Sequence, residues 1–282
     1  MEPDARPHPL RILGVLNVTP DSFSDGGSFL DPVRAVERGL EMEAEGAQIL
    51  DVGGESTRPG SEPVPLRVEL DRVLPVIAGL KGRVRAEISV DTTKLEVARA
   101  ALDAGATIVN DVSAGRSDPR ILDLAAEREA TIVLMHMRGA PRDMQLDPRY
   151  EDVVGEVREF LRERIEHARS RGIASGRIWI DPGIGFGKKL EHNLALLARL
   201  GELESLGPPI CLGVSRKAFV AGVEAAAGLP QSPPAARIGG TAAAIALGVL
   251  GGASILRVHD VAIMAQAARV ARAVSDSRTR GA

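Results

Sequence analysis

The sequence predicts a single-domain α/β protein folded as a (β/α)8 (TIM) barrel. Three observations predict it. Short β-branched runs alternate with longer Ala-, Leu- and Arg-rich amphipathic stretches along the whole chain, the pattern of repeated strand–helix units. Eight such units, of roughly 30 residues each, fit the ~250 residues typical of this barrel. The interior of each strand run is apolar and its C-terminal end polar, as expected where barrel strands converge on one mouth. A doubly wound open sheet is the rival, but its first turn usually carries a Gly-rich fingerprint, and GVLNVTPDSF is not one.

The strand runs, in order, are RILGVLNV, QILDVGG, EISVDTT, TIVNDV, TIVLMHM, IWIDPG, PICLGVS and SILRVHD. Helical spacing governs segments between them, such as DPVRAVERGLEMEAEG, KLEVARAALDAG and EDVVGEVREFLRERIEHARSRG. Gly46-Ala47, Gly105-Ala106 and Gly252-Ala253 form a shared junction, in which a left-handed glycine ends a helix and the strand starts at once. GLPQSPPAA (228–236) reads as an extra loop before a late helix rather than a domain linker. Residues 1–10 and 275–282 are expected to be terminal tails around a barrel spanning 11–274.

Composition narrows the function. The formal net charge is −3, from 35 basic and 38 acidic residues, so no nucleic-acid surface is implied. The single cysteine, Cys211, lies in an apolar run and excludes an intrachain disulfide or a cysteine metal cluster; it is expected in the core. The N-terminus has no apolar signal-peptide core. The longest uncharged stretch, Thr241 to Leu256, is broken by two glycines and is shorter than the ~20 residues of a membrane span. A cytoplasmic protein is expected, with small-molecule partners and neither nucleic acid nor membrane.

The polar strand endings are Asn17, Asp51 with Glu55, Asp91, Asn110, His136, Asp181, Ser215 with Lys217, and Arg257 with His259. Carboxylates and amides at Asp51, Asp91, Asp181, Asn17 and Asn110 suit a ligand rich in ring N–H donors and acceptors. A carboxylate takes two parallel hydrogen bonds from an amidine-like edge such as that of a 2-amino-4-oxo-pyrimidine ring, and Lys217 could donate to the ring oxygen or nitrogen. The ordinary alternative for any one of these residues is a carboxylate capping the next helix. A single funnel-shaped site accounts for all of them together.

WIDPGIGFGKK is not a nucleotide-phosphate loop: Pro182 stands where the first P-loop glycine belongs, and Lys189 replaces the hydroxyl residue. Anion-binding groups gather elsewhere, at Arg58 in GGESTRPG and at Lys217, Arg257 and His259, the last two set two apart on one strand and so facing the same side. A plain surface turn would explain Arg58 alone. LNVTPDSFSDGG offers Asn17, Asp25 and Phe23; Asn and Asp oxygens suit Mg²⁺, which keeps waters and binds with substrate phosphates. His136 is expected to be a hydrogen-bonded strand-end histidine rather than a base, and His8, His167 and His192 fall on surface segments.

NVTPDSFSDGG, DVGGESTRPG, SVDTTK, IVNDVSAG, LMHMRGAPRDMQ, DPGIGFGK, GVSRKAF and ILRVHDV, co-linear from about residue 12 to 265, closely resemble the bacterial dihydropteroate synthase family. The resemblance implies a transferase that condenses 6-hydroxymethyl-7,8-dihydropterin pyrophosphate with p-aminobenzoate. It implies pterin binding by Asp91, Asn110, Asp181 and Lys217, with Arg257 able to stack on the ring. It places Asn17, Arg58, Arg257 and His259 on the pyrophosphate, with Lys217 counted beside them as catalytic and Asn17 and Asp25 reaching Mg²⁺. It places Phe23, Thr57, Pro59, Phe186 and Ser215 around p-aminobenzoate, whose carboxylate would meet the helix N-terminus after Ser215. It further implies a homodimer and sensitivity to sulfonamides, which mimic p-aminobenzoate. A methyltetrahydrofolate-binding methyltransferase shares such a barrel, but has no pyrophosphate to hold. A non-catalytic pterin-binding paralogue would show lost loop residues.

Overall fold

A computed structural model describes residues 8–19, 31–57 and 60–280. Eight parallel strands close into a barrel in sequence order. They are β1 (Arg11–Asn17), β2 (Ile49–Gly53), β3 (Glu87–Asp91), β4 (Ile108–Asp111), β5 (Thr131–Met135), β6 (Ile178–Asp181), β7 (Ile210–Gly213) and β8 (Ala253–Val258). The first seven lie within runs expected from the sequence; β8 starts at Ala253, one residue before the run SILRVHD. Closure is made by β1, which pairs with β2 on one side and with β8 on the other, Arg11 opposite Ile255 and Gly14 opposite Val258.

The helices are α1 (Pro32–Glu45), α2 (Leu66–Leu80), α3 (Leu95–Ala104), α4 (Arg120–Glu127), α5 (Val153–Ser170), α6 (Leu190–Ala198), α7 (Ala218–Ala226), α8 (Ile238–Leu250) and α9 (Val261–Arg280). The 228–236 loop separates α7 from α8, so two helices intervene between β7 and β8. Helix α1 shows how locally its ends are written. Asp31 accepts a hydrogen bond from the Val33 N–H at 2.9 Å, Pro32 occupies the first turn, and Gly46 ends the helix at φ 111°. Gly105 and Gly252 repeat that left-handed ending at φ 124° and 90°. The last helix runs to Arg280, into the segment expected to be a tail. Ala268 and Ala271 are buried, and no glycine or proline interrupts the helical sequence before Gly281.

Two apolar layers result. The larger fills the shell between strands and helices, with Leu50, Val52, Val90 and Leu134 pointing outward against residues such as Ile77, Ile121 and Ile245. The smaller fills the barrel itself: Leu13, Ile49, Ile108, Val133, Trp179, Cys211 and Ile255 form a separate buried cluster. Cys211 is therefore a core residue, and burial pushes its thiol well above the usual range. Beneath this layer Arg11 pairs with Glu87, and its guanidinium lies 5.6 Å from the Trp179 ring centroid. The polar residues of the strands' C-terminal ends stand above it.

Candidate active site at the barrel mouth

Alternation along the strands puts Asp51, Ser89 and Asn110 one step above the apolar layer, with Asp91 and Asp181 at the strand ends. Asp51 is fully buried and wholly engaged by protein groups. Its Oδ1 accepts from Ser89 Oγ at 2.6 Å, and its Oδ2 accepts from Asn110 Nδ2 at 3.0 Å and Arg257 Nε at 2.7 Å. This corrects its expected place among ligand-reading carboxylates: Asp51 organises its neighbours. Arg257 reaches on through Nη2 to Asp91 Oδ2 at 2.7 Å, so one guanidinium bridges two buried acids. Burial works against its charge, but the two carboxylates outweigh that and raise its pKa. Asp91 moves the other way, pushed up to about 7 mainly by burial, with Arg257 opposing and Asp51 adding like charge.

Across the mouth, Asp181 Oδ1 accepts the Gly183 N–H at 2.6 Å, and burial raises its pKa against the pull of Lys217. Lys217 Nζ donates to the Ile184 carbonyl and lies 4.6 Å from the Phe186 ring centroid. Burial lowers its pKa to about 8, with Asp181 opposing. Gly213 defines the space among these groups. A Cβ there would sit 3.7 Å from Lys217 Nζ, 3.8 Å from Asp181 Oδ2 and 3.9 Å from Arg257 Cβ. A carboxylate, an ammonium and the stem of an arginine therefore converge within 4 Å of one point above Gly213. Asn17 is half-buried, with Oδ1 3.5 Å from the corresponding point on Gly53, a point that Asp91 Cβ also approaches at 3.5 Å.

The glycines of GIGFG have separate structural reasons. Gly183, Gly185 and Gly187 adopt φ of 67°, 82° and 62°; a Cβ on Gly183 would fall 1.9 Å from the His136 carbonyl oxygen, and one on Gly187 2.2 Å from that of Arg138. Gly183→Ala is therefore expected to cost roughly 2–3 kcal/mol through backbone strain and displacement of β5. Thermal unfolding checks it, and an unchanged midpoint would refute the packing account.

The turn wraps around Lys188, which is 3% exposed and donates to the Gly183 and Phe186 carbonyls at 2.9 and 3.1 Å. Its Nζ is also 2.9 Å from His136 Nδ1. Burial and Lys188 together drive His136 down to about 2, so it is neutral and held, as expected, rather than poised as a base. Lys188 was missed in the sequence, where it looks the equal of Lys189.

Ser215 lies two residues beyond β7 and just ahead of α7; its Oγ accepts from the His259 N–H at 3.2 Å and is 3.0 Å from His259 Nδ1. His259 falls just past β8, which ends at Val258, so it does not continue the strand face of Arg257. Between Ser215 and Lys217, Arg216 has φ 58° and is pinned by Asp260 at 2.5 and 2.9 Å, Arg237 at 2.9 Å and Thr241 at 3.1 Å. Phe186 packs on a buried cluster of Val112, Met135, Met137 and Met144. Thr57 is half-buried on the β2–α2 loop. Phe23, Asp25, Arg58 and Pro59 lie outside the described residues.

The mouth thus brings together Asp91, Asn110, Asp181, Lys217 and Arg257, with Asn17 and the Ser215–His259 pair at its rim. It can grip a flat heterocycle edge-on from the carboxylates and face-on from the Arg257 stem.

Comparison with known proteins gives a match to the pterin binding enzyme family over residues 13–259. The dihydropteroate synthase of Mycobacterium leprae is 50% identical over 264 residues, covering 93% of this chain and 92% of that protein. A structure of the Xanthomonas albilineans dihydropteroate synthase with 4-aminobenzoic acid superposes with TM-score 0.87 at 47% identity, covering 94% and 93% of the two chains. A Yersinia pestis dihydropteroate synthase in a sulfonamide drug complex gives TM-score 0.87 at 39% identity, covering 96% and 95%.

Proposed function

The chain belongs to the pterin-binding enzyme family, among its dihydropteroate synthases, and on that premise we propose how its mouth divides the substrates. The reaction is transfer of a pterinylmethyl group: 6-hydroxymethyl-7,8-dihydropterin pyrophosphate and p-aminobenzoate give 7,8-dihydropteroate and pyrophosphate in folate synthesis. The convergence of Asp181, Lys217 and Arg257 near Gly213 carries the assignment. Asp181 accepts the amidine edge of the pterin, Asn110 and Asp91 meet the far side of the ring, Lys217 donates to it, and the Arg257 stem covers one face. Because both Asp51 and Asp91 hold the Arg257 guanidinium, this residue serves the pterin floor before the leaving group.

The pyrophosphate then lies toward Asn17, His259 and Arg58. Asn17 supplies one amide oxygen, and among the described residues no three acidic, His or Cys side chains cluster as a metal site. That donor set fits Mg²⁺ taken up largely by waters and phosphate oxygens, with Asp25 as the further ligand; bound there, the ion would neutralise charge on the departing pyrophosphate. His259 is held by Ser215 at the rim of the mouth, where its imidazole can add to that stabilisation. The C–O bond breaks with its electron pair leaving on pyrophosphate. The neutral arylamine attacks the pterin-stabilised cation, and the anilinium then loses its proton to water. No strong base is required, which agrees with a His136 locked neutral. Phe186, Ser215 and Thr57, with Phe23 and Pro59, frame the p-aminobenzoate ring, and its carboxylate meets the start of α7.

Pyrophosphate release tests the reading: release that depends on p-aminobenzoate and yields dihydropteroate supports it, while pterin binding without release refutes it. Sulfonamides are expected to compete with p-aminobenzoate in this assay. The pH profile is a further expected result. Lys217 gives a charge-assisted hydrogen bond only while protonated, so pterin affinity should fall as pH rises through about 8. Lys217→Arg, which stays charged, should lose that alkaline limb; calorimetry at several pH values reads it, and a limb that survives the substitution removes Lys217 from the contact.

A second copy of the chain is proposed on the face formed by α8 and α9, where Leu247, Leu250, Ile263, Val270 and Val274 are exposed. A dimeric mass by light scattering supports this homodimer and a monomeric one removes it. No helix among the described residues is long and apolar enough to cross a membrane. A pyrophosphate ester does not cross a bilayer unaided, so the enzyme is placed with its substrate in the cytoplasm; cell fractionation checks this.

A further inference from the structure

Lys94 stands at an unfavourable place for a cation. It is the N-cap residue of α3, where the helix dipole is positive, and its side chain is only 24% exposed. Two carboxylates hold it there. Its Nζ donates to Glu55 on the β2–α2 loop, and to Glu69 in the first turn of α2 at 2.5 Å. Burial lowers the proton affinity of the ammonium, but these partners outweigh it and raise the pKa. Glu69 is 1% exposed and takes a second hydrogen bond, from Thr92 Oγ1 at 2.5 Å, so this arm belongs to the core.

The other arm is different. Glu55 Oε2 also accepts the Val64 N–H at 3.2 Å, so one carboxylate joins the outgoing and returning ends of the β2–α2 loop at its neck. The neck is further tied by Arg72 Nη1, which donates to the Gly54 carbonyl at 2.7 Å. Farther out, among the described residues, Ser61 Oγ donates to the Ser56 carbonyl at 2.5 Å and the Gly60 N–H to the Pro141 carbonyl at 3.1 Å. Glu55 thus links Lys94 to both ends of the loop that carries Thr57. Lys94 comes three residues after Asp91, so one short β3–α3 segment carries both a floor residue and the loop's anchor.

We propose that Lys94 is a positioning residue: through Glu55 it fixes the β2–α2 loop, and so Thr57, over the pocket for the second substrate. This rests on the assignment of that loop to p-aminobenzoate above. Lys94 touches neither substrate, so its influence should appear on one substrate and not the other.

Glu55→Gln is the decisive variant, because it takes the charge out of the arm to the loop, leaving one neutral amide oxygen for Lys94 Nζ and the Val64 N–H together, and leaves the buried Lys94–Glu69–Thr92 arm whole. The KM for p-aminobenzoate should rise ~10-fold, since a loop misplaced by about 1 Å costs one to two orders of magnitude. The dissociation constant of the dihydropterin pyrophosphate and the thermal midpoint should stay near those of the unsubstituted enzyme. Lys94→Arg should keep the selective behaviour close to normal, while Lys94→Met should reproduce the KM defect with added instability from the stranded Glu69. An unchanged KM for p-aminobenzoate in Glu55→Gln overturns the proposal. So does a loss shared equally by both substrates together with a lowered midpoint, the mark of a purely structural pair. Absence of turnover in the unsubstituted enzyme would instead overturn the functional reading, and shows itself before any substitution is made.

Discussion

Asp181→Asn is expected to weaken binding of the dihydropterin by on the order of 100-fold while the protein stays folded. Asn keeps an oxygen for the Gly183 N–H, now 2.6 Å from Asp181 Oδ1, so the turn that follows β6 retains its anchor. What is lost is the second acceptor and the negative charge beside Lys217. An amide also turns an N–H toward the ring's own donors, leaving both unpaired. Removing one partner from a desolvated, charge-assisted pair costs about 3 kcal/mol, which corresponds to that loss of affinity. Calorimetric titration with the pterin, beside a thermal melt, separates the two effects; affinity like that of the unsubstituted enzyme would remove Asp181 from the pterin site.

Arg257→Met should reach further, since it strips the shared cation from Asp51 and Asp91 at once. Leaving buried charge uncompensated costs at least about 3 kcal/mol, or roughly 10 °C in melting temperature for a domain of this size. Turnover should be lost as well, because the stem over the pterin is no longer held in place by Asp51 and Asp91. The pH dependence has a definite sign. In the variant Asp91 loses the cation that opposes its raised pKa, so its carboxyl stays protonated further above the unfolded value and the folded state binds more protons. Stability is then greatest at low pH and falls as pH rises through the Asp91 carboxyl pKa. The melting deficit relative to the parent should be smaller near about pH 5.5 than near about pH 8. Adding Asp51→Asn should recover part of the stability and none of the activity. A variant that melts like the parent at both pH values would contradict the bridging role.

All eight strands were legible because each obeys a local rule: an apolar run of strand length, bounded by a glycine before or a polar residue after. Asp91, Asn110, Asp181 and Arg257 were legible for the same reason, since inward-facing residues near the C-terminal ends of barrel strands line the mouth, and Lys217 follows β7 closely enough to join them. Roles set by side-chain choice among neighbours distant in sequence were not. Asp51 has the same strand-end signature as Asp91, yet Ser89, Asn110 and Arg257 engage it fully, and only the closed barrel brings those three together. Lys188 and Lys189 are adjacent and identical, and which one turns inward depends on the path of the glycine turn. Arg216 gave no sign of its left-handed backbone, because its anchors come from Asp260, Arg237 and Thr241 on later segments. One detectable hint was available for Lys94, a lysine opening a helix that has Glu96 in its first turn, which runs against the dipole unless a carboxylate elsewhere receives it.

The guanidinium that bridges Asp51 and Asp91 arrives 206 and 166 residues after them in the chain. At translation rates of 5–20 residues per second, the first acid is made about 10–40 s before its counter-charge. Throughout that interval neither carboxylate can be withdrawn from water without a heavy penalty, so a nascent chain lacking β8 has a reason to keep its inner sheet open. Emergence of the eighth strand then supplies in one step the missing edge for β1 and the missing positive charge. Barrel closure and neutralisation of the future pterin floor are thus a single late event of biogenesis, and chains truncated before Arg257 should remain open and protease-sensitive rather than form a stable seven-stranded barrel.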